Sequence, residues 1–328
     1  MLLRVERAEA MDAQTAKNAL NVHDAHKMRW SVWGAVALAL LGFSANSLLC
    51  RLALAPPARI DALGFTLLRL LSGALMLLSL SGLRRARTGV SLPGTLALLV
   101  YMLAFSASYV RIGAALGALL LFASVQATML GVALLRGERI GARTWLGLLC
   151  ALLGVAWLVA PGVGAPEPCG SLLMVTAGAA WGLYSLLGRR TGDALGTTAG
   201  NFVAATALLL AGCAAWLLMV RLGPSGHIRS TFASLGPLVA MDHVTRRGVA
   251  LAIASGALAS GLGYALWYRA LPQLGAPRAA VVQLLVPVLA AGLAVPLLAE
   301  VLRLRLIVAG GLVLSGVALA LWRPARSP

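Results

Sequence analysis

The sequence predicts an all-α integral membrane protein of ten transmembrane helices, arranged as two inverted five-helix repeats. Three observations predict it: a composition too apolar for a water-soluble domain, ten apolar runs of bilayer-spanning length, and a register that lays the second half over the first. Of the 328 residues, 60% are hydrophobic and 11% charged, with a mean hydropathy of +0.89. Soluble proteins average about 45–50% apolar and about 25% charged residues, so an ordinary soluble enzyme is excluded. Disorder is excluded as well, since it needs low hydrophobicity. The 27 Lys+Arg against 10 Asp+Glu give a net charge of +17. A nucleic-acid binder gathers its bases on one polar face, whereas here they punctuate apolar runs. The expected partner is the lipid bilayer, and no nucleic acid is expected.

The chain divides into a polar tail (1–29), a first five-helix repeat (30–165) and a second (166–328) that carries a long loop at 220–247. The tail has no apolar core before Trp30. A cleaved signal peptide needs one, so the tail reads as an uncleaved cytosolic extension. A hydrocarbon core about 30 Å thick takes roughly 20 residues at 1.5 Å each. That ruler gives spans at about 30–52, 61–80, 93–112, 115–135, 142–161, 170–188, 197–219, 248–270, 277–298 and 302–322. Strands of a β-barrel would alternate apolar and polar residues; these runs are continuous and therefore helical. Several adjoin across only Gly, Pro or Arg, which implies tight antiparallel hairpins.

With the N-terminus placed in the cytosol, seventeen Lys/Arg fall inside, Arg84, Arg85 and Arg87 among them, and nine outside. The positive-inside rule then sets both termini in the cytosol of the inner (plasma) membrane. A shift of 162 lays Gly113-Ala114 over Gly275-Ala276, Glu138 over Glu300, Arg143 over Arg305 and Gly154-Val155-Ala156 over Gly316-Val317-Ala318. Earlier in the chain a shift of 138 lays Ser47-Leu48-Leu49-Cys50-Arg51 over Ser185-Leu186-Leu187-Gly188-Arg189. The two shifts differ by 24, which loop 220–247 largely absorbs. Five spans per half is an odd number, so the halves enter the membrane in opposite directions. Such inverted repeats are a mark of secondary transporters, with substrate held near the midplane between them.

None of the ten acids falls within a span's middle: four lie in the tail, Glu167, Asp193 and Asp242 in loops, Asp61 opens the second span, and Glu138 and Glu300 close helices. The histidines are all in the tail or the long loop, so a buried proton relay has no evident residue. Glu138 and Glu300 sit beside arginines at hairpin tips, where each can pair or cap the next helix. Arg69 is the exception, eight residues past Asp61 and so about 12 Å deep at 1.5 Å per residue. Two readings stay open for it: an interior cation for a carboxylate-bearing or electron-rich substrate, or an arginine tied to carbonyls and polar neighbours.

Uncharged polar groups at Asn46, Ser106, Tyr109, Gln126, Tyr184, Asn201, Tyr264 and Gln283 serve either as interhelical glue, worth about 0.6 kcal/mol each, or as a polar cavity lining. Trp181, near mid-span, could stack on a flat substrate. Trp30, Trp33, Trp267, Tyr268 and Trp322 lie near span ends and read as the interfacial aromatic belt. The small residues of 255–263 permit close helix approach, and Pro287 at mid-span suggests a kink. Cys50, Cys150, Cys169 and Cys213 show no C-x-x-C spacing and no His companion, so packing is their expected role and no metal is implied.

These residues resemble the EamA branch of the drug/metabolite transporter superfamily over about residues 30–325. The resemblance is carried by Gly263-Tyr264-Ala265-Leu266-Trp267-Tyr268-Arg269-Ala270-Leu271, Pro287-Val288, Glu300 and Gly316-Val317 in the second half, and by Arg69-Leu70, Gly137-Glu138-Arg139 and Gly154-Val155 in the first. The chain departs from the pattern at Val301, which follows Glu300 in place of arginine, and at Val125, where the first repeat often carries proline. The resemblance implies ten helices in two repeats and transport of a small molecule, often export of an amino acid or other metabolite. The expected substrate-binding set is Arg69, Asn46, Tyr109, Gln126, Trp181, Tyr184, Tyr264 and Gln283. A membrane enzyme would need clustered His, H-E-x-x-H or G-x-S-x-G, and an ATP-driven pump a P-loop; the sequence offers none of these, so no enzyme activity and no cofactor are expected. The alternatives are efflux of hydrophobic or cationic toxic compounds, which the missing midplane carboxylate counts against, and a non-transporting structural or regulatory membrane protein. A small-molecule substrate and the bilayer are the expected partners, with a second copy of the chain as a candidate.

Overall fold

The structure, a computed structural model, describes residues 32–55, 57, 59–137, 142–159, 166–188, 192–222, 244–274 and 282–321. The tail 1–29, most of loop 220–247, Glu138, Trp30, Trp322 and the four histidines lie outside the described residues. The described chain is helical, in the order α1 (Val32–Leu54), α2 (Ala62–Ser81), α3 (Leu83–Gly89), α4 (Leu92–Tyr109), α5 (Ala114–Leu135), α6 (Ala142–Val159), α7 (Pro168–Gly188) and α8 (Ala194–Leu222). It continues with α9, which runs as α-helix over Arg246–Ala254, widens to π-helix over Ser255–Leu262 and returns to α-helix over Gly263–Leu274, then with α10 (Leu285–Leu298) and α11 (Leu304–Leu321). Seven helices, α1, α2, α4, α5, α7, α8 and α9, are long and apolar enough to cross a membrane; the apolar stretches of α6, α10 and α11 are shorter. Each apolar run read from the sequence overlaps one of these helices, and for seven of the ten runs the helix is long and apolar enough to span. The short α3 matches no run, because Leu83-Arg84-Arg85-Ala86-Arg87-Thr88-Gly89 is too polar to register as a span.

Helix starts are fixed by side chains that take up the free amides of the first turn. Asp61 accepts from the Gly64 amide at 2.7 Å, Ser91 from Gly94 at 3.2 Å and Thr245 from Gly248 at 3.0 Å. Asp193 caps α8 through Gly196 at 2.9 Å, and Glu167 caps α7 through Cys169 at 3.2 Å and Gly170. The α5 cap comes from far along the chain: Gly113 offers no side chain, and Glu300 accepts from the Ala114 amide at 2.6 Å and the Ala115 amide at 3.2 Å. Glu300 therefore caps a helix of the first half rather than the helix that follows it.

Packing follows the small residues. α2 lies between α8 and the π segment of α9, α4 and α5 run along α7, α10 along α5, and α6 along α11. At Gly256 a side chain would fall on Ser72 Oγ and the Arg69 carbonyl oxygen, and at Gly178 on Ser124 and the Leu121 carbonyl. Lipid tails are as apolar as leucine, so helices in a bilayer associate through such close backbone approach and through interhelical hydrogen bonds. The bonds are present: Ser255 donates to Asn46 at 2.5 Å, Thr66 to Ser106 at 2.8 Å, and Asn201 Oδ1 accepts from the Ser91 amide and Thr95 at 3.0 and 3.2 Å.

Pro287 falls in the first turn of α10 and not in mid-helix. Val282 and Gln283 are helical, the chain turns at Leu284, and the helix resumes at Leu285. A proline cannot donate to the carbonyl four residues back and crowds it; for Pro287 that carbonyl is Gln283's, where the break lies.

At the α7–α8 turn, Arg85 of α3 grips Asp193 with two hydrogen bonds, Nε–Oδ2 at 2.6 Å and Nη2–Oδ1 at 2.5 Å. That bond to Arg85, aided by the Gly196 amide, holds the Asp193 carboxyl below its usual range. A lowered folded value means the pair stabilises above the unfolded pKa of about 3.9 and loses its effect as pH falls through the folded value. D193N should therefore melt slightly below wild type at pH 5–7, with the two melting curves converging as pH drops below about 4. The gap stays small because both side chains are partly exposed. A pH series of thermal melts checks it.

Candidate functional site

A cavity of about 400 Å³ opens between α1, α5, α7, α8, α9 and α10. Its walls are aromatic: Phe43, Trp181, Tyr184, Tyr264, Trp267 and Tyr268. Gln126 and Gln283 supply amides, and Ser185, Thr197 and Thr198 hydroxyls. Among the described residues, the lining includes no charged side chain. The cavity extends to Gly188 and Ala194, at the α7–α8 end of the bundle.

Trp181 is the centre of the wall. Its ring stacks on Tyr184 (centroids 5.3 Å, 28° between planes) and on Tyr264 (5.3 Å, 20°), and lies 4.9 Å from Tyr101. Each ring fixes its neighbour, so the face offered to a ligand is rigid. Thr198 Oγ1 accepts from Tyr184 Oη at 3.3 Å and lies 3.3 Å from Tyr268 Oη, which ties α7, α8 and α9 together behind the rings.

From Trp181 the aromatic contacts continue along α4 toward the other end of the bundle. Tyr101 meets Phe105 at 5.4 Å, and Phe105 meets Tyr109 edge-on at 4.7 Å. Phe105 and Tyr109 are buried, and Tyr109 packs against Gly117 of α5. Beyond Tyr109 lies a second cavity of about 320 Å³, lined by Arg51, Arg111, Glu167, Glu300, Arg303 and Arg305 together with apolar neighbours. Two spaces at opposite ends of the bundle are thus separated by a ladder of rings.

Arg69 lies one layer behind the wall, fully buried. Its Nη2 donates to Tyr101 Oη at 3.1 Å and its Nε to Ser260 Oγ at 3.2 Å. The guanidinium sits 5.4 Å from the Tyr101 ring centroid and 4.8 Å from that of Phe105, within cation–π range. Nη1 has no hydrogen-bond partner among the described residues, and no carboxylate among them pairs with the group. Tyr101 and Ser260 themselves line a narrow pocket of about 30 Å³ with Asn46, Trp181, Tyr264 and Gln283, adjoining the main cavity.

Of the eight residues expected to bind substrate, the structure brings Gln126, Trp181, Tyr184, Tyr264 and Gln283 to one cavity. Asn46 lines the adjoining pocket, Arg69 stands behind it, and Tyr109 lies apart at the far end of the ladder. Trp267 and Tyr268 are a correction: they belong to the cavity wall, and Trp267 is buried rather than at the lipid interface. The available signal was their spacing, since Tyr264, Trp267 and Tyr268 share one helical face. Trp33 is half exposed, as a belt residue would be. Phe43, Thr197 and Thr198 carried no signal that separated them from packing residues.

The fold and site define a multi-pass helical membrane protein built around an aromatic cavity. Residues 168–322 match the EamA-like transporter family, and the chain is a member of it, within the drug/metabolite transporter superfamily. The family consists of transporters rather than enzymes. Over 289 residues the chain is 51% identical to a Pseudomonas aeruginosa protein described as uncharacterized protein PA1977, covering 87% of this chain and 92% of that one. A solved crystal structure superposes with a TM-score of 0.56 at 20% identity, covering 89% of this chain and 97% of that one. At such identity the likeness shows the fold alone.

Proposed function

We propose that the chain is a secondary transporter that exports a small metabolite, an amino acid or related compound, by alternating access between two inverted five-helix repeats. The observation that carries this is the cavity open toward one end of the bundle and closed from the other by the ladder Trp181–Tyr101–Phe105–Tyr109. A central cavity barred by packed rings from the recess at the other end is what a single state of an alternating-access cycle requires. Helix pairing supports the repeats. With α1, α2, α4, α5 and α6 as one set and α7 to α11 as the other, α2–α8, α5–α10 and α6–α11 are like-with-like pairs, and α2–α9 mirrors α4–α8. The amides that Glu300 caps, at Ala114 and Ala115, adjoin the Gly113-Ala114 pair that the 162 shift lays over Gly275-Ala276.

In this reading all ten apolar helices cross the inner membrane and both termini are cytosolic. The cavity then faces the cytosol, on the side of Arg84, Arg85 and Arg87, as suits loading before export. Trp181 offers a flat apolar face, Gln126, Gln283 and the threonines give hydrogen bonds, and Arg69 biases the pocket toward the carboxylate end of the cargo. Among the described residues the cavity lining holds no carboxylate, which speaks against a cationic cargo.

Purified protein in sealed liposomes tests the reading against a panel of labelled amino acids, their analogues and sugar derivatives. At least one should move, and W181A should slow it roughly tenfold, equivalent to about 1.4 kcal/mol, the size of one aromatic contact. A panel in which nothing moves and nothing raises the melting temperature would leave the chain without a transport role.

A further inference from the structure

We propose that the second cavity, at the α5 and α7 N-terminal end of the bundle, is a binding site for a small oxyanion, a carboxylate or a phosphate. Four arginines line it, Arg51, Arg111, Arg303 and Arg305, against two carboxylates, Glu167 and Glu300. The formal balance is two positive charges in a recess of about 320 Å³. That balance already counts both carboxylates at full charge, and backbone amides fix where they sit. Glu300 accepts from the Ala114 and Ala115 amides, and Glu167 from the Cys169 and Gly170 amides. Arg111 lies 3.8 Å from Glu167, a long contact that leaves most of its donors unspent.

Two of the arginines are held in place by backbone carbonyls. Arg51 Nη1 donates to the Tyr109 and Val110 carbonyls at 2.8 and 3.3 Å. Arg305 donates to the Trp157 carbonyl through Nε and Nη2 at 3.0 and 2.7 Å. The planar fork of a guanidinium matches a carboxylate or phosphate edge, and converging like charges in a recess concentrate anions from solution. The site is separate from the aromatic cavity and does not depend on whether the chain transports anything.

Thermal melts of the full-length protein in phosphatidylcholine nanodiscs test it, with inorganic phosphate titrated against chloride at matched ionic strength. Wild type should show a saturable rise in melting temperature, and R111Q/R303Q should need at least five times more phosphate for the same rise. A second arm replaces phosphate with phosphatidylglycerol in the disc. Stabilisation there, lost in the double variant, assigns the site to a lipid headgroup rather than a free ion. R303E changes a single exposed side chain and serves as the readout if the double variant does not fold. Wild type and variants responding alike in both arms, or no response in wild type, overturns the proposal.

Discussion

Gly256→Ala is expected to lower the melting temperature by several degrees, and a bulkier residue at this position to abolish folded protein. The added methyl would occupy the positions of Ser72 Oγ and the Arg69 carbonyl oxygen. Ser72 could rotate away, although it now bonds to the Leu68 carbonyl at 2.7 Å. The Arg69 carbonyl cannot, because it belongs to the backbone of α2. Separating α2 from α9 would pull Arg69 off Ser260 and loosen the contact that sets the depth of the cavity wall. Overpacking of this kind costs about 1–3 kcal/mol when one methyl is added. Gly292→Ala is the control: nothing lies within 4 Å of its would-be side chain. A helical glycine replaced by alanine there should hold or raise stability, by up to about 1 kcal/mol. Equal melting of the two variants would mean that the α2–α9 contact is not the tight one.

Arg69→Met should fold at least as stably as wild type and yet transport roughly tenfold more slowly or worse. Among the described residues the buried charge has no carboxylate beside it, and its Nη1 has no hydrogen-bond partner. Replacing a buried ionic group by an apolar side chain of similar size is often neutral or stabilising, since methionine keeps most of the packing against Tyr101 and Phe105. What methionine removes is the hydrogen bond that fixes Tyr101 and the positive field behind the pocket. Arg69→Lys keeps charge without the fork and should fall between the two. Fluorescence-detected melting and liposome flux, measured on the same preparations, separate the outcomes. Wild-type flux in R69M would reduce Arg69 to a packing residue.

Much of this architecture was legible in the sequence because a bilayer imposes a coarse rule that residue types obey. Continuous apolar runs matched most of the helices to within a few residues, and Asp61 marked the start of α2. The isolated charge at Arg69 stood out against an acid-free interior. Its partners did not: Tyr101 and Ser260 come from 32 and 191 residues away, and no local spacing announces them. Glu300 read as a cap for its own neighbour because sequence shows only neighbours, while the amides it serves lie 186 and 185 residues upstream. Trp267 and Tyr268 were placed at the lipid interface from their distance along the span, a measure of depth that says nothing about which way a helix face points. Immediately before that face comes the π segment, whose Ser255-Gly256-Ala257-Leu258-Ala259-Ser260-Gly261-Leu262 composition is indistinguishable from ordinary small-residue packing.

That segment makes the site depend on counting. Each π turn takes up about one residue more than an α turn, so the helix below Leu262 is rotated relative to the helix above Ser255. The aromatic face of Tyr264, Trp267 and Tyr268, which lines the cavity, follows directly on that offset. A substitution within the segment acts through the packing at one position, as at Gly256, whereas losing or gaining a single residue would turn the whole wall about its axis. These eight residues contribute their length as well as their smallness.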